Sequence, residues 1–275
     1  MSKNILILLL SVFLLISCSK KSEVNVLEPT DEEKAVSIYD EAVAALKTGD
    51  AFFAGKKFKE VETLMPQSKW AAKASLMLGY SDYSRNAYTT AIFNIERFIQ
   101  NYPANENISY AHYLIAMCFY EQILDEKKDL KPLLLAKKKF EFIIKNYPET
   151  DYSTDAKFKM DLIYDQLAAK EMSIARYYIK IEKWIPALNR LKTIVSKYDK
   201  TVFVEEALHR LVEVYYKLGL EDEAKKAASI LGYNYQSGEW YKKTYKVFNK
   251  NYKTKNEKKQ KDLGLIRKKI KGLFD

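Results

Sequence analysis

"FIQNYPANE" at residues 98–106 and "FIIKNYPETD" at residues 142–151 end two stretches that match further upstream than these letters suggest. Counting back from Pro103 by five, eight and twelve residues reaches Phe98, Ile95 and Ala91, and the same steps from Pro148 reach Ile143, Phe140 and Ala136. From Pro66 they reach Val61, Phe58 and Ala54. Two more copies carry Asp199 or Gln236 in place of proline: Ala187, Leu191, Ile194 and Ala224, Ala228, Leu231. Tyr102, Tyr147, Tyr198 and Tyr235 stand just before the last position in four of the five. An alanine followed by apolar residues four and seven places later puts all three on one helix face. The methyl-sized residue lets a neighbouring helix approach, the larger ones fill the groove between helices, and the terminal proline or polar residue stops the helix.

A second helix precedes each copy, over roughly Glu33–Lys47, Trp70–Ser84, Ile108–Leu124, Thr154–Ile181 and Val204–Leu218. Gly49 and Gly219 each lie five residues before a repeat alanine, at the turn between the two helices. The unit resembles the tetratricopeptide repeat, a helix–turn–helix of about 34 residues. The alanines are spaced 37, 45, 51 and 37 residues apart. The third copy therefore carries an insertion, "LDEKKDLKP", between its helices, and the fourth has a long first helix. With only 8 glycines and 6 prolines in 275 residues, tight turns are few. The expected fold is all-α, a superhelical array of about five such repeats over residues 31–248, with an N-terminal half near 31–150 and a C-terminal half near 151–248.

The chain starts differently. Lys3, an apolar run from Ile5 to Ile16 and small residues at its end form a secretory signal pattern, too short to span a bilayer as a stable helix. Leu15-Ile16-Ser17-Cys18 resembles the bacterial lipobox. The expectation is cleavage after residue 17, a diacylglyceryl group on the Cys18 sulfur and an acyl group on its amine. One chain binds a membrane only marginally and two or three bind stably. Residues 18–30 read as a flexible tether. Ser19 stands where an aspartate would resemble an inner-membrane retention signal, so the expected address is the periplasmic face of an outer membrane.

Charge is concentrated at the other end. Residues 242–271 hold thirteen Lys or Arg against Glu257 and Asp262, whereas the whole chain is only +10. The folded body is thus close to neutral, and no nucleic-acid partner is expected. Residues 249–262 read as disordered; Leu263, Ile266, Ile270 and Leu273 then recur at helical spacing among Arg267, Lys268, Lys269 and Lys271. That basic amphipathic pattern suits an anionic lipid surface, an acidic partner or a solubilising end.

No chemistry-bearing constellation emerges. His112 and His209 are far apart without a second cysteine ligand near either. "GDAFFAGKK" at 49–57 has the wrong spacing for a phosphate loop and falls inside a helical repeat. Cys118 reads as a small core residue. Neither a catalytic site nor a metal nor any cofactor beyond the acyl groups on Cys18 is expected.

Three stretches carry a closer resemblance: "ERFIQNYPANENISYAHYLIAMCFYEQI", "YPETDYSTDAKFKMDLIYDQLAAKEMSIARYY" and "WIPALNRLKTIVSKY". With the lipobox they resemble the BamD (ComL/YfiO) family, lipoproteins of the outer-membrane β-barrel assembly machinery. The resemblance implies an adaptor that binds a BamA-like barrel assembly protein through its C-terminal half, alongside other lipoproteins of the complex. In the family's pattern of Trp, Val/Leu, Asn and Arg, the arginine faces BamA; here the positions are Trp184, Leu188, Asn189 and Arg190. The N-terminal half is implied to capture unfolded outer-membrane β-barrel substrates, and Tyr80, Tyr83, Tyr110 and Tyr113 suit a groove for aromatic-ending peptides. Asp82 departs from the pattern, standing where many members carry an aromatic. Another repeat lipoprotein of the envelope, pilotin-like or a cell-envelope coordination factor, is the alternative.

Overall fold

A computed structural model describes residues 29–66, 68–123, 129–236 and 238–248. The signal and lipobox with Cys18, most of the tether, most of the insertion in the third copy and the basic tail lie outside the described residues. Eleven helices follow one another among the described residues: α1 (Asp31–Lys47), α2 (Ala51–Leu64), α3 (Lys69–Ser84), α4 (Tyr88–Asn101), α5 (Ile108–Tyr120), α6 (Lys131–Asn146), α7 (Asp151–Lys180), α8 (Trp184–Lys197), α9 (Val204–Lys217), α10 (Glu221–Asn234) and α11 (Glu239–Phe248). Each helix packs on its chain neighbour, and the first helices of repeats one to four, α1, α3, α5 and α7, also touch in succession. This is the expected all-α array of TPR-like helix pairs. α5 ends at Tyr120, four residues short of the sequence expectation.

The repeat arithmetic has a backbone counterpart. Ala54, Ala91, Ala136, Ala187 and Ala224 are wholly buried, as are the large residues four and seven places on in the first four copies. The fifth copy differs: Ala228 is only partly buried, and Ala227 beside it is in the core. Each second helix ends the same way. Met65, Tyr102, Tyr147, Tyr198 and Tyr235 leave the helix with φ between −136° and −129°. The N–H of each still donates to the carbonyl of the last trio residue, Val61, Phe98, Ile143, Ile194 or Leu231. Ser68, Thr150 and Thr201 then donate their hydroxyls back to the carbonyls of Met65, Tyr147 and Tyr198. The helix therefore stops one residue before the proline, on a cap that the proline place only reinforces.

Turns inside the repeats are equally uniform. Gly49, Asn86, Glu182 and Gly219 all take positive φ, at 92°, 62°, 56° and 75°. The next residue in each case, Asp50, Ala87, Lys183 or Leu220, donates its N–H at 2.9 Å to the carbonyl five residues back. That pair of features is a Schellman closure, which satisfies carbonyls left open at a helix end. The glycine signal seen twice in the sequence thus marks a turn built four times, twice with a residue that bears a side chain.

Four core clusters run along the array, shared by α1–α3, α3–α5, α5–α7 and α7–α10. The 30-residue α7 belongs to two of them. Its first half buries Ala156, Met160 and Ile163 against α5 and α6, and its second half buries Ala168, Met172 and Ala175 against α8 and α9. The excess length of the fourth copy thus splits one helix between two neighbours, and its far end forms a hairpin with α8.

Candidate functional site

Two surfaces collect the residues singled out by sequence. The first is the row of first helices in the N-terminal half. Tyr80 and Tyr83 on α3 have ring centroids 6.4 Å apart, and Tyr83 lies 6.0 Å from Tyr88 of α4. Tyr110 and Tyr113 on α5 lie 5.5 and 5.2 Å from Tyr152 of α7. The Tyr113 hydroxyl donates to Asp155 at 2.5 Å. All four expected tyrosines are half-buried and pack on core clusters, so each serves inter-repeat packing while keeping an edge in solvent. Burial pushes the Tyr83 phenol up to about 12. It raises Tyr110 too, and Tyr113, where the bond to Asp155 adds to burial. These phenols are neutral donors at any physiological pH. They can offer apolar faces and hydroxyl protons to an extended peptide.

The second surface is the tip of the α7–α8 hairpin. Tyr177, Ile181 and Ile185 are 58%, 42% and 56% exposed there. Trp184 is partly buried at their base, and Leu188, one turn on, is core. Asn189 is exposed on the same side of α8 as Ile185. Arg190 is half-exposed and already engaged: its Nη1 donates to both carboxylate oxygens of Glu171, at 3.1 and 3.2 Å. The expected pattern therefore divides, with Leu188 holding the hairpin together, Arg190 bracing it, and Asn189 facing outward.

The outer-membrane lipoprotein family YfiO has a model that matches residues 31–230, most of the chain. The chain belongs to the YfiO family. Among proteins similar to this family member, an outer membrane protein assembly factor BamD of Caulobacter vibrioides is 39% identical, over 80% of this chain and 72% of its own length. BamD of Rickettsia prowazekii is 37% identical, over 85% of this chain and 91% of its own. A thermophilic TPR protein of Thermus thermophilus overlaps 78% of the chain and 98% of its own at 14% identity, with a TM-score of 0.37, too low to carry weight.

In this YfiO-family chain Asp82 is no substitute for an exposed aromatic. It is only 5% exposed. One oxygen accepts from Arg85 at 2.8 and 3.1 Å, and the other accepts from the Asn94 side chain at 2.7 Å. It ties α3 to α4, and the tyrosine stack runs past it through Tyr83. His112 lies between Phe142 and Tyr147, 4.7 and 5.7 Å from their rings, and burial with Lys139 nearby keeps it below its ordinary pKa. Cys118 is wholly buried, its thiol pushed up to about 12 by burial, which makes it an inert core group.

Sequence reading missed the partners. Tyr152 and Asp155 complete the tyrosine surface, and Glu171 completes Arg190. No local periodicity links residues on different helices, so nothing in the pattern pointed to them. A further charge network was invisible for the same reason. Glu206 of α9, nearly buried, receives both Arg176 of α7 and Arg210. Arg210 continues to Glu213 at 2.8 Å, and His209 lies 3.4 Å from the same carboxylate. Although burial works against it, Glu213 is drawn down to about 2 by hydrogen bonds from His209 and Arg210.

Proposed function

We propose that this YfiO-family protein is a lipid-anchored scaffold for inserting outer-membrane β-barrel proteins, non-enzymatic, with Cys18 holding it to the periplasmic face of the outer membrane. Its C-terminal hairpin docks a BamA-like assembly protein, and its tyrosine face receives unfolded barrel substrates. Likeness to the two BamD relatives supports the assembly role. The observation that carries the docking assignment is the α7–α8 tip: three large apolar side chains held out by a helix longer than its own repeat requires. Large aliphatic and aromatic side chains around one partly buried tryptophan are what an interface core needs, with Asn189 at its polar rim.

Arg190 has two roles to separate, because it both braces the hairpin and borders the tip. Purification of the tagged full chain from solubilised membranes should recover the BamA-like partner. Ile185→Asp should reduce recovery tenfold or more while thermal stability is kept. The exchange Glu171→Arg with Arg190→Glu restores the ion pair but reverses the charge at the rim. If binding survives the exchange and fails only in Arg190→Ala, the arginine acts through the fold; if the exchange alone abolishes binding, it contacts the partner. Full recovery with Ile185→Asp would remove the tip from the interface.

A further inference from the structure

Between the end of α5 and the middle of α7 runs a groove of 430 Å³ lined by Tyr120, Glu121, Ile123, Leu162, Asp165 and Gln166 over the buried Ile163. Phe158 and Leu162, one turn apart on α7, are 68% and 55% exposed beside it. Its walls are acidic: Glu121 on one side, Asp165 on the other, with Asp161 a turn before. Among the described residues no lysine or arginine pairs with these three carboxylates. The nearby cation, Lys159, is taken by Asp155 at 3.5 Å and by the Tyr120 ring at 5.1 Å. An apolar floor between acidic walls suits a short helix with an apolar stripe and basic flanks.

We propose that the occupant is the chain's own C-terminal segment, residues 263–273. Leu263, Ile266, Ile270 and Leu273 provide the stripe, and Arg267, Lys268, Lys269 and Lys271 the flanks. A helix as short as this is marginal alone in water and gains from a surface to form on. Charge selects this groove. The one beside α11 (Lys225, Ala228, Gly232, Tyr241, Phe248) adjoins Lys242 and Lys243 and would repel the segment.

Reach is set by α9, which acts as a ruler. Two residues before its start the Val202 N–H donates to Asp165 of the groove at 3.3 Å. Near its end the Tyr216 ring lies 5.2 Å from that of Phe248, where α11 stops. From Val204 to Tyr216 the helix rises about 18 Å, with two further residues back to Val202. Fourteen residues, the length of 249–262, can span at most about 50 Å, and a linker of that length averages about 20 Å end to end. The segment is therefore tethered at the distance where effective concentration peaks, on the order of millimolar. Docking with a dissociation constant of about 100 μM between separate molecules would be closed about ten to one within the chain.

The test places a photo-crosslinking amino acid at Leu162 in the full chain, in its membrane. Mass spectrometry should find an intramolecular link to residues 263–275. Glu121→Lys with Asp161→Lys, both exposed, should lower the yield at least tenfold, and adding Lys268→Glu with Lys269→Glu should restore it. Hydrogen exchange of residues 117–123 and 155–166 should be slower in the full chain than in a chain stopped after Phe248. Links only to lipid, to another protein or to a second copy would overturn the proposal. So would the absence of a link together with equal exchange in the two chains.

Discussion

Seams between first helices of successive repeats are filled in two ways in this protein. In the N-terminal half they are aromatic: Tyr39 against Trp70 at 5.4 Å from α1 to α3, then the tyrosines from α3 through α5 to Tyr152 of α7. Past the middle of α7 the seam is ionic, with Arg176 reaching Glu206 on α9 and Arg210, Glu213 and His209 extending the network. The second-helix trio beneath is the same in both halves. Rings tolerate sliding and keep a wet edge that can serve a peptide. A multidentate ion network fixes one geometry and suits the base of a hairpin that must hold its tip still. The same scaffold thereby carries a half-wet aromatic seam at one end and an ionic seam at the other.

The largest effect that can break the comparison comes from the shared skeleton. Phe140→Ala in the N-terminal half should cost about 3–5 kcal/mol and Leu191→Ala in the C-terminal half about 2–5, measured by urea unfolding. Hydrogen exchange should show Phe140→Ala loosening α5–α7 first. If both variants loosen all helices equally, the two halves are one cooperative unit.

Next come two glycines on the faces of α2 and α3. A Cβ on Gly79 would lie 2.4 Å from Cγ1 of the buried Ile95, whereas one on Gly55 would meet only ordinary contacts at 3.6 Å from Leu78 and Ser81. Gly79→Ala should therefore lose about 1–3 kcal/mol by overpacking, and Gly55→Ala should gain up to about 1 kcal/mol from helix propensity. Equal melting temperatures for the two would show that α3 and α4 are looser than their packing implies.

The sharpest contrast is in pH. Glu213 and Glu206 titrate below their unfolded range. The unfolded chain takes up protons first as the solution is acidified, so their stabilisation is present above about pH 4.5 and is lost toward pH 2. Tyr83, Tyr110 and Tyr113 titrate above theirs. The unfolded chain releases protons first, so their stabilisation is present below about pH 10 and is lost as pH rises toward 12. Exchange or near-ultraviolet dichroism should find the C-terminal half failing first in acid and the N-terminal half first in alkali. The same order at both extremes would refute the two-seam picture.

The smallest effect lies in the turns. Glu182→Gly removes a side chain from a left-handed position and should stabilise by about 1 kcal/mol, while Gly219→Ala should cost about as much, since a Cβ there meets nothing and only the backbone resists. A thermal melt of each is sufficient.

The sequence by itself determined the elements. Alanine with two apolar residues at +4 and +7 is a local pattern, because helix periodicity converts spacing into a face. It placed the second helices, the aromatic caps and the extra length of α7. Tertiary structure alone decided who meets whom. Arg190 and Glu171 are 19 residues apart and Arg176 and Glu206 are 30 apart, separations that no helical period relates. The crossing of helices, set by volumes summed over the whole array, brings them together. The same packing buried Asp82 beside Asn94, gave Ala228 only partial cover, and left Tyr177, Ile181 and Ile185 in solvent, although their composition alone would have sent them to the core.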